Sequence, residues 1–203
     1  VTIIATGGAV RLTGSGLGCP SWPTCTPESL IPTDELSYHS LIEFGNRLMT
    51  GVVGIIALLV VILLLTSKLW RVRKDLWTLA VIVGIGIIAQ AIVGGITVCT
   101  GLNPFHYVSS LLLVCVSAAF LMRMDEPGGS RMLAVPRWYA GLTHFTAAVL
   151  AVSIAFGVLT TGAGPHSGDT ESGRNGFDAT LLEHVHAWPA YARLALTTVL
   201  VAL

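Results

Sequence analysis

The sequence predicts an all-α, polytopic membrane protein built from two related helical bundles, the second incomplete. Three observations predict it. Of 203 residues, 53% are hydrophobic and 11% charged, and mean hydropathy is +0.77. Soluble domains carry about 25% charged residues, so most of this surface must face lipid rather than water. Five apolar segments each approach the roughly 20 residues that a helix needs to cross a bilayer. The chain also repeats its own layout, one offset carrying Glu43 onto Glu183 and Asn46 onto His186. Eleven basic residues balance eleven acidic ones, which gives no footing for a nucleic-acid partner.

The elements follow in order. The opening VTIIATGGAV reads as the outer end of a first helix, and the closing LALTTVLVAL as an interrupted last one, so both end helices are expected to be incomplete. No basic stretch followed by an apolar core marks a signal peptide at the start. Spans are expected over 41–66, 76–98, 107–122, 138–160 and 181–203. They must be helical, because irregular backbone in lipid leaves peptide groups unpaired. Lys68, Arg71, Arg73 and Lys74 lie between the first two spans, and Arg123, Arg131 and Arg137 follow the third. The positive-inside rule places 67–75 and 123–137 in the cytoplasm and the loops near 10–38, 99–105 and 161–180 outside. The expected organisation is an N-terminal four-helix half over 1–122, a cytoplasmic linker over 123–137 and the start of a second half over 138–203.

The repeat fits this division. LTGSGLG at 12–18 ends the first helix and TTGAGPH at 160–166 the fifth, and each precedes an outer loop and a span opening on a glutamate, IEFGN or LEHVH. Duplicated helical halves are common in membrane proteins.

Histidine placement carries the chemistry. His39 opens the second helix from outside, His106 the fourth, and His184 and His186 the sixth, so alternate helices present imidazoles at one membrane depth. Ionisable side chains in a bilayer are expensive and mark function. Heme iron takes imidazole nitrogens on either side of its plane, and Gly45, Gly51, Gly54, Gly94, Gly95 and Gly101 make room for a macrocycle between helices. The plain alternative is an interfacial histidine bonded to a carbonyl or headgroup. His144 lies near the other face and is assigned a packing or hydrogen-bonding role, and His166 a solvated loop position.

Glu43 follows His39 by four residues, on the same helix face. It reads either as a catalytic or proton-accepting carboxylate beside a heme edge, or as an i,i+4 ion pair with Arg47 that anchors the helix end. Cys19 and Cys25 flank GCPSWPTC in an outward loop, where an oxidising compartment permits a disulfide, with a thiol relay as the alternative. Their spacing matches no common zinc pattern. Cys99 and Cys115 read as small apolar residues.

The run GGAVRLTGSGLGCPSWPTC, followed by HSLIEFGNRLMTG and later by NPFH and TGAGPHSGD, resembles heme A synthase of the bacterial type over essentially the whole chain. That resemblance implies an eight-helix fold of two four-helix halves in the bacterial cell membrane, with the cysteine loop outside. It implies oxidation of the C8 methyl of heme O to a formyl group, giving heme A for cytochrome oxidase, with heme b as cofactor. Glu43 then matches the family's essential glutamate, His106 its fourth-helix histidine, His186 a heme b ligand, and Cys19 with Cys25 the pair that can form a disulfide. Many members carry histidine where this chain has Asn46, and an amide is a poor iron ligand, so His39 is the candidate replacement. The iron candidates are therefore His106, His186 and His39, with Arg47 beside the cofactor. Membrane lipid, heme O, heme O synthase, a membrane electron acceptor and a second copy of the chain are the expected partners. The alternatives are a diheme b-type cytochrome taking electrons from quinol, and an alternating-access carrier with His39 and Glu43 as proton relay.

Overall fold

The computed structural model describes residues 2–33, 37–100, 103–129, 132–164, 168 and 174–203, without the side chains of 99, 100 and 103–105. His166 and Gly101 lie outside the described residues, as does the side chain of Cys99. Among the described residues the chain is helical, with seven helices and no strand.

Helix α1 covers Thr2–Leu12 and ends where Gly14 turns the chain with φ +64°, a conformation that glycine adopts without penalty. Helix α2 covers Tyr38–Thr66, starting earlier than its apolar run, so that His39 and Ser40 sit in its first turn. Its 29 residues extend about 44 Å, more than the roughly 30 Å hydrocarbon core, so its end turns stand among headgroups. Between spans the basic segment forms an unexpected single turn, α3, over Leu69–Val72, entered through Lys68 at φ +57°. Helix α4 covers Lys74–Thr100, α5 Asn103–Met124 and α6 Arg137–Ala163. Helix α7 covers Ala179–Ala202, and the Asp178 carboxylate caps it by accepting from the Leu181 N–H at 3.1 Å.

Among the described residues, four helices are long and apolar enough to cross a membrane: Tyr38–Thr66, Lys74–Val98, His106–Met124 and Arg137–Ala163. The segment expected as a fifth span is helical but is not among them. It is long enough, but Glu183, His184, His186 and Arg193 make it less apolar.

The chain divides into two compact units. One holds Val1–Gly128 with His166–Gly173, the other Gly129–Pro165 with Arg174–Leu203. In the first, α1 packs on α2, α2 on α4 and α4 on α5; in the second, α6 packs on α7. The first unit's core is small: Leu64, Leu76 and Ala80, with Val60, Val61, Trp77 and Phe120 against them. Leu113 of α5 lies against Gly86 of α4, which lets those two helices close up. Ile55, Ile56, Leu58 and Leu59 point outward, the inverse of a water-soluble fold and the arrangement that lipid requires. At the basic end, Arg73 grips both oxygens of Asp75 at 3.1 Å and donates to the carbonyls of Arg123 and Glu126, tying the start of α4 to the end of α5.

Candidate functional site

The first unit gathers Glu43, Arg47, Cys19 and Cys25 into one cluster. Glu43 lies in the second turn of α2 and is 6% exposed. A carboxylate there needs partners, and it has them on both oxygens. Oε2 accepts from the Cys19 N–H at 2.6 Å, and Oε1 from Arg47 Nε at 3.1 Å and from Nη2. Arg47 completes the cluster by donating to the carbonyls of Ser21 (2.9 Å), Thr24 (3.1 Å) and Cys19 (3.2 Å). A guanidinium has five N–H donors, and these contacts engage all five. The Cys19–Cys25 disulfide closes the same loop, and both cysteines are fully buried. The i,i+4 pair is thus present and holds the disulfide loop onto α2. Oε1 takes both Arg47 bonds and Oε2 the Cys19 N–H, so the carboxylate is fixed in position and orientation.

Two other residues of the same face are held by α1 and the turn that follows it. His39 Nδ1 lies 2.9 Å from Ser15 Oγ, and its ring stands 4.0 Å from that of Tyr38. Gly18 runs against the backbone of His39, where even a methyl group would collide. Asn46 accepts from Thr6 Oγ1 at 2.7 Å, so this amide fastens α1 to α2.

His106, in α5, turns toward α4. Its Cε1 sits 3.4 Å from where a Cβ on Gly94 would be, and the Gln90 carboxamide comes within 2.9 Å of Nδ1 with its nitrogen toward the ring. In that rotamer Nδ1 accepts and Nε2 carries the proton. In the opposite rotamer the amide oxygen accepts from Nδ1–H, and Nε2 keeps a lone pair for a metal. Trp22, at the tip of the disulfide loop, packs on Gly95, next to the glycine that receives His106. The loop held by Glu43 and Arg47 therefore reaches the wall on which His106 rests. Among the described residues no hydrogen bond or ring contact joins His39 to His106.

In the second unit, His186 of α7 presses into α6. Gly157 receives the ring, with Cε1 2.9 Å from the position a Cβ would take, and Nδ1 lies 2.9 Å from the Ser153 carbonyl. A carbonyl only accepts, so Nδ1 carries the proton and the Nε2 lone pair is free. That is the tautomer heme iron requires, and His186 fits an axial ligand. His184 instead bonds its own helix at the Thr180 carbonyl (2.7 Å), and His144 likewise at Ala140 (2.6 Å). Cys115 is free and exposed. Among the described residues, no three of His, Cys, Asp and Glu group as a metal site by themselves.

Sequence reasoning missed Gln90, Trp22 and Ser15. Gln90 left a signal, since an amide in the apolar run of α4 needs a polar partner. Trp22 and Ser15 left none, because their contacts depend on how the loop folds.

The family model described as COX15-CtaA, cytochrome oxidase assembly protein, matches residues 1–166. Proteins named heme A synthase from Bacillus cereus (strain AH187), Bacillus anthracis (strain A0248) and Bacillus thuringiensis subsp. konkukian (strain 97-27) are each 33% identical over 144 residues. Those alignments cover 64% of this chain but only 44% of each relative. No solved structure matches.

Proposed function

The chain belongs to the COX15-CtaA family of cytochrome oxidase assembly proteins, and from that membership we propose that it is a membrane oxidoreductase converting the C8 methyl of heme O to a formyl group, forming heme A. The observation that carries this reading is the first unit's wiring: a nearly buried carboxylate bonded to a disulfide loop whose Trp22 packs on Gly95, beside the Gly94 on which His106 rests. In this reading the Gln90 amide turns its oxygen to Nδ1–H and His106 holds heme O through Nε2, with His39 the candidate for the opposite side. Glu43, fixed by Arg47 and the Cys19 N–H, positions a water or takes a proton near the reacting methyl. Arg47 serves the cofactor through the loop it holds, and Trp22 keeps water from α4. His186 would hold heme b, which supplies electron transfer when bound. The family's substrate and a heme O synthase and electron acceptor as partners belong to the same proposal, as does the bacterial cell membrane with the disulfide loop outside.

The test is pigment extraction from membranes that make heme O. The parent protein is expected to yield a formylated, farnesylated heme. The variant Glu43→Gln should keep bound heme and its disulfide yet make no heme A. Absence of the formyl product from the parent overturns the function, and normal yield from the variant removes Glu43 from the chemistry.

A further inference from the structure

The turn joining α2 to α4 builds a cavity that the proposed chemistry does not use. Its volume is about 530 Å3, and Trp70, Arg71, Lys74, Trp77 and Thr78 line it. Its depth follows from the spans on either side: one ends at Thr66 and the next begins at Lys74, so the cavity lies where hydrocarbon gives way to headgroups. The Trp70 and Trp77 rings stand 6.3 Å apart and tilted by 51°, forming two walls of the kind that tryptophan supplies at this depth.

Among the described residues its charges have no ion-pair partner. The Arg71 guanidinium stands 5.2 Å over the Trp70 ring, a contact that leaves its N–H edge open. Asp75, the nearest acid in sequence, is occupied by Arg73 at 3.1 Å. Among the described residues neither Arg71 nor Lys74 has a carboxylate partner. Two unpaired cations, two indoles and a membrane boundary recognise an anion that carries an apolar tail. Val72, 82% exposed beside the cavity, offers that tail a surface that free phosphate would not need.

We propose that this cavity binds the headgroup of an anionic phospholipid, with Arg71 and Lys74 on the phosphodiester and Trp70 and Trp77 against the glycerol and first acyl carbons. The two tryptophans also report on it. The full-length protein in dioleoylphosphatidylcholine vesicles is titrated with phosphatidylglycerol or phosphatidylcholine brominated on the acyl chain, and tryptophan quenching is read. Brominated phosphatidylglycerol is expected to quench at a concentration on the order of tenfold lower, as two basic side chains at the surface allow. In Arg71→Gln/Lys74→Gln the preference should fall to about twofold, with heme content and the Cys19–Cys25 disulfide unchanged. Should the double variant not fold, Arg71→Gln alone, at an exposed position, should lower the preference to about threefold. Equal quenching by the two lipids in the parent, or an undiminished preference in the variants, overturns the proposal. So does relief of the phosphatidylglycerol signal by millimolar inorganic phosphate, which would mark a free-anion site.

Discussion

Arg47 is the residue on which the first unit's loop depends, because every one of its donors has an acceptor and three of those are loop carbonyls. Arg47→Gln leaves Glu43 nearly buried without its charge partner, a loss of about 3 kcal/mol. It should appear as a lower thermal midpoint and a faster reduction of the Cys19–Cys25 disulfide. Gly18 is a second fixed point. A Cβ there would lie 2.6 Å from the His39 carbonyl and 2.7 Å from the Ser40 nitrogen, and backbone cannot rotate away. Gly18→Ala is therefore expected to destabilise by about 1–3 kcal/mol. Gly51→Ala, into open space within α2, should change stability by no more than about 1 kcal/mol. Gln90 bonds Ser110 as well as His106. With the amide oxygen turned to accept from Nδ1–H, as ligation through Nε2 requires, Gln90→Leu removes that partner and should weaken heme retention at His106 about 10–100-fold, read by titrating heme into the purified protein. Retention at the parental level would dismiss Gln90 as an orienting residue.

At the scale of elements, α7 offers the cleanest local test. Its N-terminal N–H groups rely on the Asp178 side chain, so Asp178→Ala should cost about 1 kcal/mol and loosen His186 from Ser153. Amide exchange over the first turn of α7 reads that loosening directly. The spans themselves were legible from the sequence because membrane helices announce themselves by unbroken apolar length, and α2, α4, α5 and α6 lie where the runs lie. Their ends were less legible. Tyr38 and His39 extend α2 beyond its apolar stretch because the helix outreaches the hydrocarbon core. The α3 turn depends on Lys68 in a left-handed conformation that no residue type in the segment signals. The candidate site divides the same way. Glu43 with Arg47 is local and follows from helical spacing, as the shared face of His39 and Asn46 does. The grip on Ser21 and Thr24, the Trp22–Gly95 contact and the Ser15–His39 bond are long-range, and periodicity carries no information about them.

For the whole molecule the question is which way it lies in the membrane. If the four candidate spans each cross, the segment after Thr66 and the one after Met124 share a face, and the ends at Val98 and Ala163 share the other. Both segments of the first face are basic, so the positive-inside rule predicts that this face lies in the cytoplasm. With Cys99 and Cys115 replaced, a cysteine at Met132, 93% exposed, should react with an impermeant maleimide only after cells are opened, whereas one at Phe177, 59% exposed, should react in intact spheroplasts. The reverse pattern would place the disulfide loop inside and remove the oxidising compartment that maintains it. The same method settles α7. Its 24 residues extend about 36 Å, enough to cross, but Glu183, His184, His186 and Arg193 make crossing costly unless they turn toward protein, as His186 does toward Ser153. If α7 crosses, a cysteine at Ala202 must be protected like Met132. Labelling of Ala202 in intact cells would instead leave α7 lying along the outer face, and His186 without the membrane depth that a buried heme needs.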